Sequence, residues 1–187
     1  IMAFLRNAFQ KYPLLSNCAI YGSLYVTAEF SQQTFLRKFQ KKPGEISKPY
    51  DTETLKNYAI IGTGAISPTL YYWYKWFDAK FKGTAPRMVV KKCLIDQFLM
   101  TPNLLVIFYV GMSLLENKED ILAELKEKFV PTFITSSCFW LPAQAINFTF
   151  IPAQYRIVYI AVCTLMWVNI LCWLKRGNPP QRSSVKS

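Results

Sequence analysis

An uncharged stretch of 27 residues, Phe129–Tyr155, constrains the fold more than any other feature of this sequence. At about 1.5 Å of rise per residue, a helix of this length crosses a hydrocarbon layer of about 30 Å. Three prolines and several amide and hydroxyl side chains interrupt its apolar residues. In lipid, such polar groups need partners inside a protein. The stretch therefore predicts a membrane helix that packs against other helices.

Four further uncharged runs have 17 or more residues each, which is near the length that spans a bilayer. Hydrophobic residues make up 52% of the chain although its net charge is +11, because the charges concentrate between the runs. We therefore predict an all-α, polytopic integral membrane bundle with four to five proline-kinked spans. Residues 1–176 form its single domain, and residues 177–187 form a basic, mobile tail. The four runs are Tyr12–Ala28, Asn57–Tyr74, Gln97–Leu115 and Ile157–Leu174.

Acidic and basic residues alternate with apolar ones over residues 117–129, NKEDILAELKEKF. Ile121, Leu122, Leu125 and Phe129 share one helical face. This pattern predicts an amphipathic surface helix at the membrane boundary or against the bundle.

The sequence lacks the residues on which several classes of function usually depend. It contains no histidine, which removes histidine triads, histidine metal ligands and imidazole proton relays. The five cysteines stand singly in apolar runs, without a CxxC pair, and are interpreted as small buried hydrophobic residues. We expect no metal site, no cofactor and no enzymatic activity.

Ionisable and amide residues inside the predicted spans are the first candidates for a functional site. Glu29 lies two-thirds along the first helix, with Gln33 one turn later, and a charge at that depth should face the bundle. Lys92 and Asp96 are four residues apart and can pair within one turn. One hypothesis is a charged group, with Arg156, that lines an aqueous path; the other is a structural ion-pair network. Gln97 and Asn103 follow on the same predicted helix.

Polar residues gather on one face of the central stretch. Ser137, Trp140, Gln144 and Asn147 lie at i, i+3, i+7 and i+10, so a helix places them together. They either line a path or join helices by hydrogen bonds, and we favour hydrogen bonding because polar residues commonly connect spans. Trp140 is expected to be a packing or interface residue.

The last third of the chain carries a motif of widely spaced residues, with further matching positions earlier in the chain. The motif residues are Trp140, Pro142, Gln144, Asn147-Phe148, Pro152 and Arg156, and the earlier positions are Pro13, Gly22, Glu29, Gln33, Asp96-Gln97 and Pro102. In these residues the chain resembles the Mpv-seventeen family, also called the twenty-two-kilodalton peroxisomal membrane protein family, and its Mpv-like branch in particular. It departs from the family pattern at two places: Leu141 separates the tryptophan from the proline, and Ala28-Glu29 stands where the family has Gly-Asp.

The resemblance implies a small helical protein of the mitochondrial inner membrane, with the peroxisomal membrane as the alternative. It also implies a channel-like or transport-like role for small solutes, linked to organelle homeostasis and reactive-oxygen metabolism. The rival expectation is a non-transporting scaffold or assembly factor within a larger mitochondrial complex. Homo-oligomerisation is a further expectation.

The basic connections between spans suggest a lipid partner. Lipid headgroups, cardiolipin among them, are the expected ligands of basic residues beside a span. No aromatic residues alternate with these lysines as on a nucleic-acid surface, so direct nucleic-acid binding is not expected.

Overall fold

A computed structural model of the chain describes residues 11–39, 49–81, 86–151 and 156–176. Throughout these ranges the regular secondary structure is helical, so the predicted all-α class is confirmed. The predicted mobile tail, residues 177–187, lies outside the described residues.

Seven α-helices and two π-helical stretches follow one another in the described ranges. The first helix begins at Pro13, as the sequence predicts, because proline is favoured in a first helical turn. The elements are α1 (Pro13–Phe39), α2 (Thr52–Ile61), a π-helical stretch (Gly62–Ile66), α3 (Ser67–Lys80), α4 (Pro86–Ile95), a second π-helical stretch (Asp96–Met100), α5 (Thr101–Leu115), α6 (Ala123–Thr149) and α7 (Arg156–Arg176).

Five long helices result, because α2 continues through the first π-helical stretch into α3, and α4 continues through the second into α5. Their contacts close a ring. The α1 helix packs on α2–α3 and on α7, α5 packs on α2 and α6, and α6 packs on α7. The interior of the ring is therefore bounded by all five long helices.

Both π-helical stretches end two residues before a proline. In each, the N–H of the following residue donates to the carbonyl five residues back rather than four. Proline has no N–H to donate, and its ring collides with the carbonyl four residues earlier. The wider turn relieves this conflict without ending the helix. The hydrogen-bonded pairs are Ser67 to Gly62 and Thr101 to Asp96, and the prolines are Pro68 and Pro102.

The distribution of side chains differs from that of a water-soluble bundle, although the bundle also has a hydrophobic core. Large apolar side chains are exposed on every long helix, and carboxylate, amide and hydroxyl side chains are buried inside. Water-soluble proteins rarely expose so much contiguous apolar surface. Outward-facing examples are Leu15, Ile60, Phe98, Ile134 and Met166, and inward-facing polar examples are Glu29, Gln33, Ser67, Gln97, Thr132, Ser136 and Asn147.

Two glycines bring neighbouring helices together. A Cβ on Gly22 would collide with the Thr63 side chain, and one on Gly111 would collide with Ile61. The α1 helix therefore approaches the first π-helical stretch more closely than a larger residue permits, as small residues allow in membrane bundles. This agrees with the sequence, in which Ala59, Thr63 and Ser67 form a stripe of small residues.

The amphipathic surface helix expected over residues 117–129 is not a separate element. Residues 116–122 form a connection, and the remainder is the first part of α6, which continues to Thr149. The prediction fails because Glu124 and Lys128 are buried against the end of α7 by ion pairs, so this segment is anchored within the bundle.

One helix in the described ranges, Pro86–Leu115, is long and apolar enough to span a membrane by length and composition alone. The span count of four to five stays a prediction.

Asp51 is the N-cap of α2 and supplies the first testable prediction. Its carboxylate accepts hydrogen bonds from the backbone N–H of Thr54 at 2.9 Å and from the Thr54 hydroxyl at 2.7 Å. The backbone hydrogen bond, then the hydroxyl, lowers the pKa of Asp51. We expect Asp51→Ala to lower the free energy of unfolding by about 1 kcal/mol at neutral pH.

The pH dependence of this contribution follows from the direction of the shift. Because the pKa is lower in the folded protein, the stabilisation is present above the unfolded value of about 3.9 and is lost as the pH falls through the folded pKa. Thermal unfolding in detergent between pH 7 and pH 3 measures it. Asp51→Asn is the control, since it keeps a capping oxygen but does not titrate; equal stability of Asp51→Ala and wild type at pH 7 would contradict the prediction.

Candidate functional site

A cavity of about 250 Å³ lies inside the ring, and all five long helices contribute to its wall. The wall is aromatic and aliphatic over most of its surface and carries a few polar groups. Cavities with this mixture are the usual form of small-molecule sites. The polar wall residues include Asp96, Gln97, Thr101, Ser136, Gln144 and Thr164.

Asp96 is the acidic residue of this cavity wall. The Trp73 indole N–H donates to its Oδ1 at 2.8 Å, and the Tyr74 hydroxyl donates to its Oδ2 at 3.1 Å. Both donors come from α3, and Asp96 begins the second π-helical stretch. Two neutral donors, both on α3, therefore hold the carboxylate at the wall.

The amide residues of the cavity are tied to α6. Gln97 is buried, and its Nε2 donates to the Ser137 hydroxyl at 3.0 Å. Asn147 Nδ2 donates to Gln144 Oε1 at 3.4 Å. Ser136 is fully buried beside them, and its hydroxyl has no hydrogen-bond partner among the described residues. This part of the wall retains polar atoms able to accept or donate further hydrogen bonds.

Three buried aromatic rings close one end of the cavity, and we call them the aromatic plug: Tyr25 of α1, Tyr58 of α2 and Phe108 of α5. Their ring centroids lie 5.8 to 6.4 Å apart, which is contact distance for tilted or edge-on rings. Tyr25 and Phe108 also line the internal cavity. Beneath the plug, Tyr109 and Thr132 join α5 to α6 through a 2.7 Å hydroxyl hydrogen bond.

A second cavity of about 560 Å³ reaches the plug from the opposite side, where Tyr58 forms part of its wall. Charged residues of both signs surround it. The two cavities therefore meet the same aromatic cluster from opposite sides, and packed side chains interrupt the interior between them. The charged wall residues include Arg37, Asp51, Glu116, Lys118, Glu124, Lys128, Lys175 and Arg176.

Ion pairs at this charged end fasten the end of α7 to the rest of the bundle. Arg176 pairs with Glu29 of α1, whose side chain is fully buried. Gln33, one turn after Glu29, donates to Glu29 Oε1 at 2.9 Å. Its amide also pairs with the backbone of Asp51, donating to the carbonyl at 3.0 Å and accepting from the N–H at 2.8 Å. These contacts connect α7, α1 and the start of α2.

On the other side of the charged end, the carboxylates of Glu116 and Glu124 form ion pairs with three lysines. Glu124 pairs with Lys118 at 2.5 Å, with Lys128 at 3.1 Å and with Lys175 at 3.2 Å. Glu116 pairs with Lys118 and Lys175, each at 2.9 Å. Burial opposes the charge of Lys118, but hydrogen bonds from Lys118 to Glu124 and Glu116 outweigh it and raise its pKa. Opposite charges thus satisfy one another where the helices end.

The structure separates the predicted polar residues into two groups. Glu29 and Gln33 lie at the charged end, whereas Asp96, Gln97 and Gln144 line the internal cavity, and Asn147 is buried beside Gln144. The aromatic plug lies between the two groups. On α1, for example, Tyr25 of the plug lines the internal cavity, and Glu29 of the charged end follows one helical turn later. Glu29 and Asp96 therefore do not form one charged group.

Three other candidates have different surroundings. Asn103 is exposed and donates along its own helix to the Leu99 carbonyl at 2.6 Å, so it does not join the polar network. Lys92 is half-buried on α4, and the ion pairs among the described residues include no pair between it and Asp96, whose carboxylate is directed to α3 instead. Arg156 begins α7, but its side chain is not among those described.

Sequence reasoning missed most of the partners. Trp73 and Tyr74 belong to an aromatic run that predicts an interfacial belt, and nothing in the sequence pairs them with Asp96. Lys175 and Arg176 directly follow the last uncharged run, and nothing in the sequence pairs them with acidic residues of other helices. One signal was available: Glu124 and Lys128 stand four residues apart, the spacing of an ion pair on a helix.

The described residues contain no cluster of cysteine and acidic side chains able to hold a metal ion. Their cysteines are all free: Cys163 and Cys172 are buried, Cys18 and Cys93 are half-buried, and Cys138 is exposed.

Comparisons with known proteins agree with the sequence motifs. A family model described as the Mpv17 / PMP22 family matches residues 113–172. An Mpv17-like protein of Xenopus laevis is 34% identical over 177 residues, which cover 95% of this chain and 84% of the relative. The chain belongs to the Mpv17 / PMP22 family.

Two further members of this family are similar over most of their length. Peroxisomal membrane protein 2 of Bos taurus is 29% identical over 165 residues, which cover 87% of this chain and 83% of the relative. The mitochondrial inner membrane protein Mpv17 of Xenopus laevis is 28% identical over 178 residues, which cover 92% of this chain and 97% of the relative. No solved structure matches the chain significantly.

Three of the residues on which the resemblance to the Mpv17 / PMP22 family rests lie on the inner side of α6. Trp140 and Gln144 line the internal cavity, and Asn147 is buried one turn further on. Pro142, displaced by Leu141, is exposed within a helix that remains continuous. Phe148 lies in α6 but its side chain is not among those described, and Pro152 lies outside the described residues.

The ion pair between Glu29 and Arg176 supplies the second testable prediction. Arg176→Gln leaves a buried carboxylate without its cation, which destabilises a fold. We expect the free energy of unfolding to fall by roughly 1 to 3 kcal/mol, less than for a fully buried pair because the Arg176 side chain is 31% exposed. Thermal unfolding in detergent measures the change.

The double variant Glu29→Gln, Arg176→Gln should recover part of this loss, because it removes both charges. Arg87→Gln, at an exposed position of α4, is the matched control and should be neutral. A double variant that is no more stable than Arg176→Gln would argue against the pair.

Proposed function

We propose that this chain is a membrane protein of an organelle, the mitochondrial inner membrane being the first choice and the peroxisomal membrane the alternative. In this proposal the ring of helices encloses a passive path for small solutes, and the structure represents its closed state. The effects on organelle homeostasis and reactive-oxygen metabolism implied by the resemblance would follow from such exchange.

The membrane location is supported by the surface of the ring and by the relatives. Large apolar side chains face outward on every long helix, where lipid would surround them. Two of the relatives are called a mitochondrial inner membrane protein and a peroxisomal membrane protein. Basic residues between the helices would lie near anionic headgroups, of which cardiolipin is one candidate.

The observation that carries the path is the pair of cavities on either side of the aromatic plug. A solid bundle core would have no reason to enclose a cavity that carries polar groups, because unfilled space and buried polar groups both lower stability. Displacing three rings would join the two cavities. Asp96 would then favour cations in the inner part of the path, since it is the acidic residue of that wall.

A scaffold or assembly factor is the second candidate, and the closed interior favours it. If the plug never opens, the polar residues serve only to join the helices. The charged segment over residues 117–129 would be the natural partner surface for this role. It is a poor one, however, because Glu124 of this segment is buried in ion pairs with Lys118, Lys128 and Lys175.

Currents across planar bilayers containing the purified protein provide the third testable prediction. We expect infrequent openings for the wild type and a several-fold higher open probability for Phe108→Ala, because the smaller side chain leaves a gap in the plug. Asp96→Asn should reduce the preference for cations over anions.

Phe98→Ala is the matched control, since it removes the same side chain from the outer surface of the ring, where Phe98 is 61% exposed. Size-exclusion profiles in detergent establish that each variant is folded. Electrical silence of all folded variants, together with recovery of the protein in stoichiometric association with a larger complex, would favour the scaffold and overturn the proposed path.

A further inference from the structure

The carboxylate of Asp96 lies at the cavity wall without a matching positive charge among the described side chains. Its two oxygens each accept one hydrogen bond, from neutral donors on Trp73 and Tyr74. A carboxylate has about four acceptor positions, so two remain. The ion pairs among the described residues do not include Asp96, and no lysine or arginine is found among the described residues that line the internal cavity.

Aromatic rings form much of the wall around this carboxylate. They come from α1, α3, α5, α6 and α7, so they surround the cavity from several sides. The face of an aromatic ring carries negative electrostatic potential and attracts a cation, most strongly when water is excluded. The rings are Tyr21, Tyr25, Tyr74, Phe108, Trp140 and Trp167.

From this arrangement we propose that the internal cavity is a binding site for an organic ammonium ion. The ammonium group donates to the free acceptor positions of Asp96, and its carbon substituents pack against the aromatic wall. The positive charge of the ligand and the negative charge of the half-buried carboxylate neutralise each other at the cavity wall.

Two other ligand classes fit the wall less well. A hard metal ion such as Ca²⁺ takes six to eight oxygen ligands, whereas this wall has one carboxylate among aromatic rings. An anion would meet Asp96 without a described cation to balance it. An organic cation satisfies both the charge and the apolar surface.

The dimensions of the cavity limit the size of the ligand. Its volume of about 250 Å³ accommodates a small amine and excludes large cofactors. Tyr74 is 43% exposed and Asp96 is only half-buried, so the cavity reaches the outside of the bundle at the carboxylate. At the other side, the hydroxyl of Ser136 is able to hydrogen-bond a ligand that carries a polar substituent.

The ammonium ligand would occupy a cavity that belongs to the proposed path, so the site rests on the proposed function. Binding of the ligand nevertheless does not require conduction. Titration of the protein in detergent measures binding without a membrane. Binding without current would therefore leave the site intact and count only against the path, whereas current without binding would count only against the site.

The experiment compares 2-phenylethylamine, which is a cation at pH 7, with 2-phenylethanol, which has nearly the same shape and no charge. Isothermal titration of the full-length wild-type protein should show saturable binding of the amine. The alcohol should bind on the order of tenfold to a hundredfold more weakly, as expected for loss of a charge-assisted hydrogen bond. Equal affinities, or no binding of the amine, would overturn the proposal.

Asp96→Asn tests the carboxylate itself. Its amide oxygen is still able to accept from Trp73 and has nearly the same size, so the variant should fold, which its unfolding temperature checks. Amine affinity should fall to that of the alcohol. Glu119→Gln, which removes an exposed carboxylate outside the cavity, is the control and should bind the amine like wild type. If Asp96→Asn does not fold, the comparison of amine and alcohol on wild type still decides the question.

Discussion

Polar groups buried inside an apolar shell must find partners within the protein, and this requirement organises the whole bundle. Large apolar side chains occupy the outside of the ring, so the carboxylates and amides of the long helices are directed inward. There they meet one another: Asp96 meets Trp73 and Tyr74, and Gln97 meets Ser137. Each of these contacts joins two different helices. The same groups that would be costly in lipid thus determine which helices are neighbours.

The interior is divided according to the kind of polarity it contains. At the charged end, opposite charges on α1, α6, α7 and the connection before α6 neutralise one another. In the internal cavity, one carboxylate is held by neutral donors and aromatic rings surround it. The aromatic plug separates these environments. A ring of helices can therefore be rigid at one end, where ion pairs connect several helices, and retain open space at the other.

The sequence was sufficient to predict the helical class, the start of α1 at Pro13 and the shared inward face of Gln144 and Asn147 on α6. These features depend on local properties: the fixed φ of proline, the length of uncharged runs and the period of the helix. The extent of α6 and the split of the polar residues into two groups depend on tertiary contacts. Arg176 meets Glu29 only because α1 and α7 run side by side in the same direction, and no local pattern encodes that neighbourhood. The same holds for Trp73 and Asp96.

The two π-helical stretches determine which residues of their helices share a face. Each wide turn accommodates one residue more than an α-helical turn, so it rotates everything before it by about 100° relative to everything after it. Tyr58 and Tyr74 lie on either side of the first stretch, and both still face the interior cavities. Inserting or deleting a single residue at either site would consequently rotate one half of the long helix relative to the other, so that its inward-facing side chains would no longer face the interior. We expect natural variation in length among relatives to fall in the connections between helices instead.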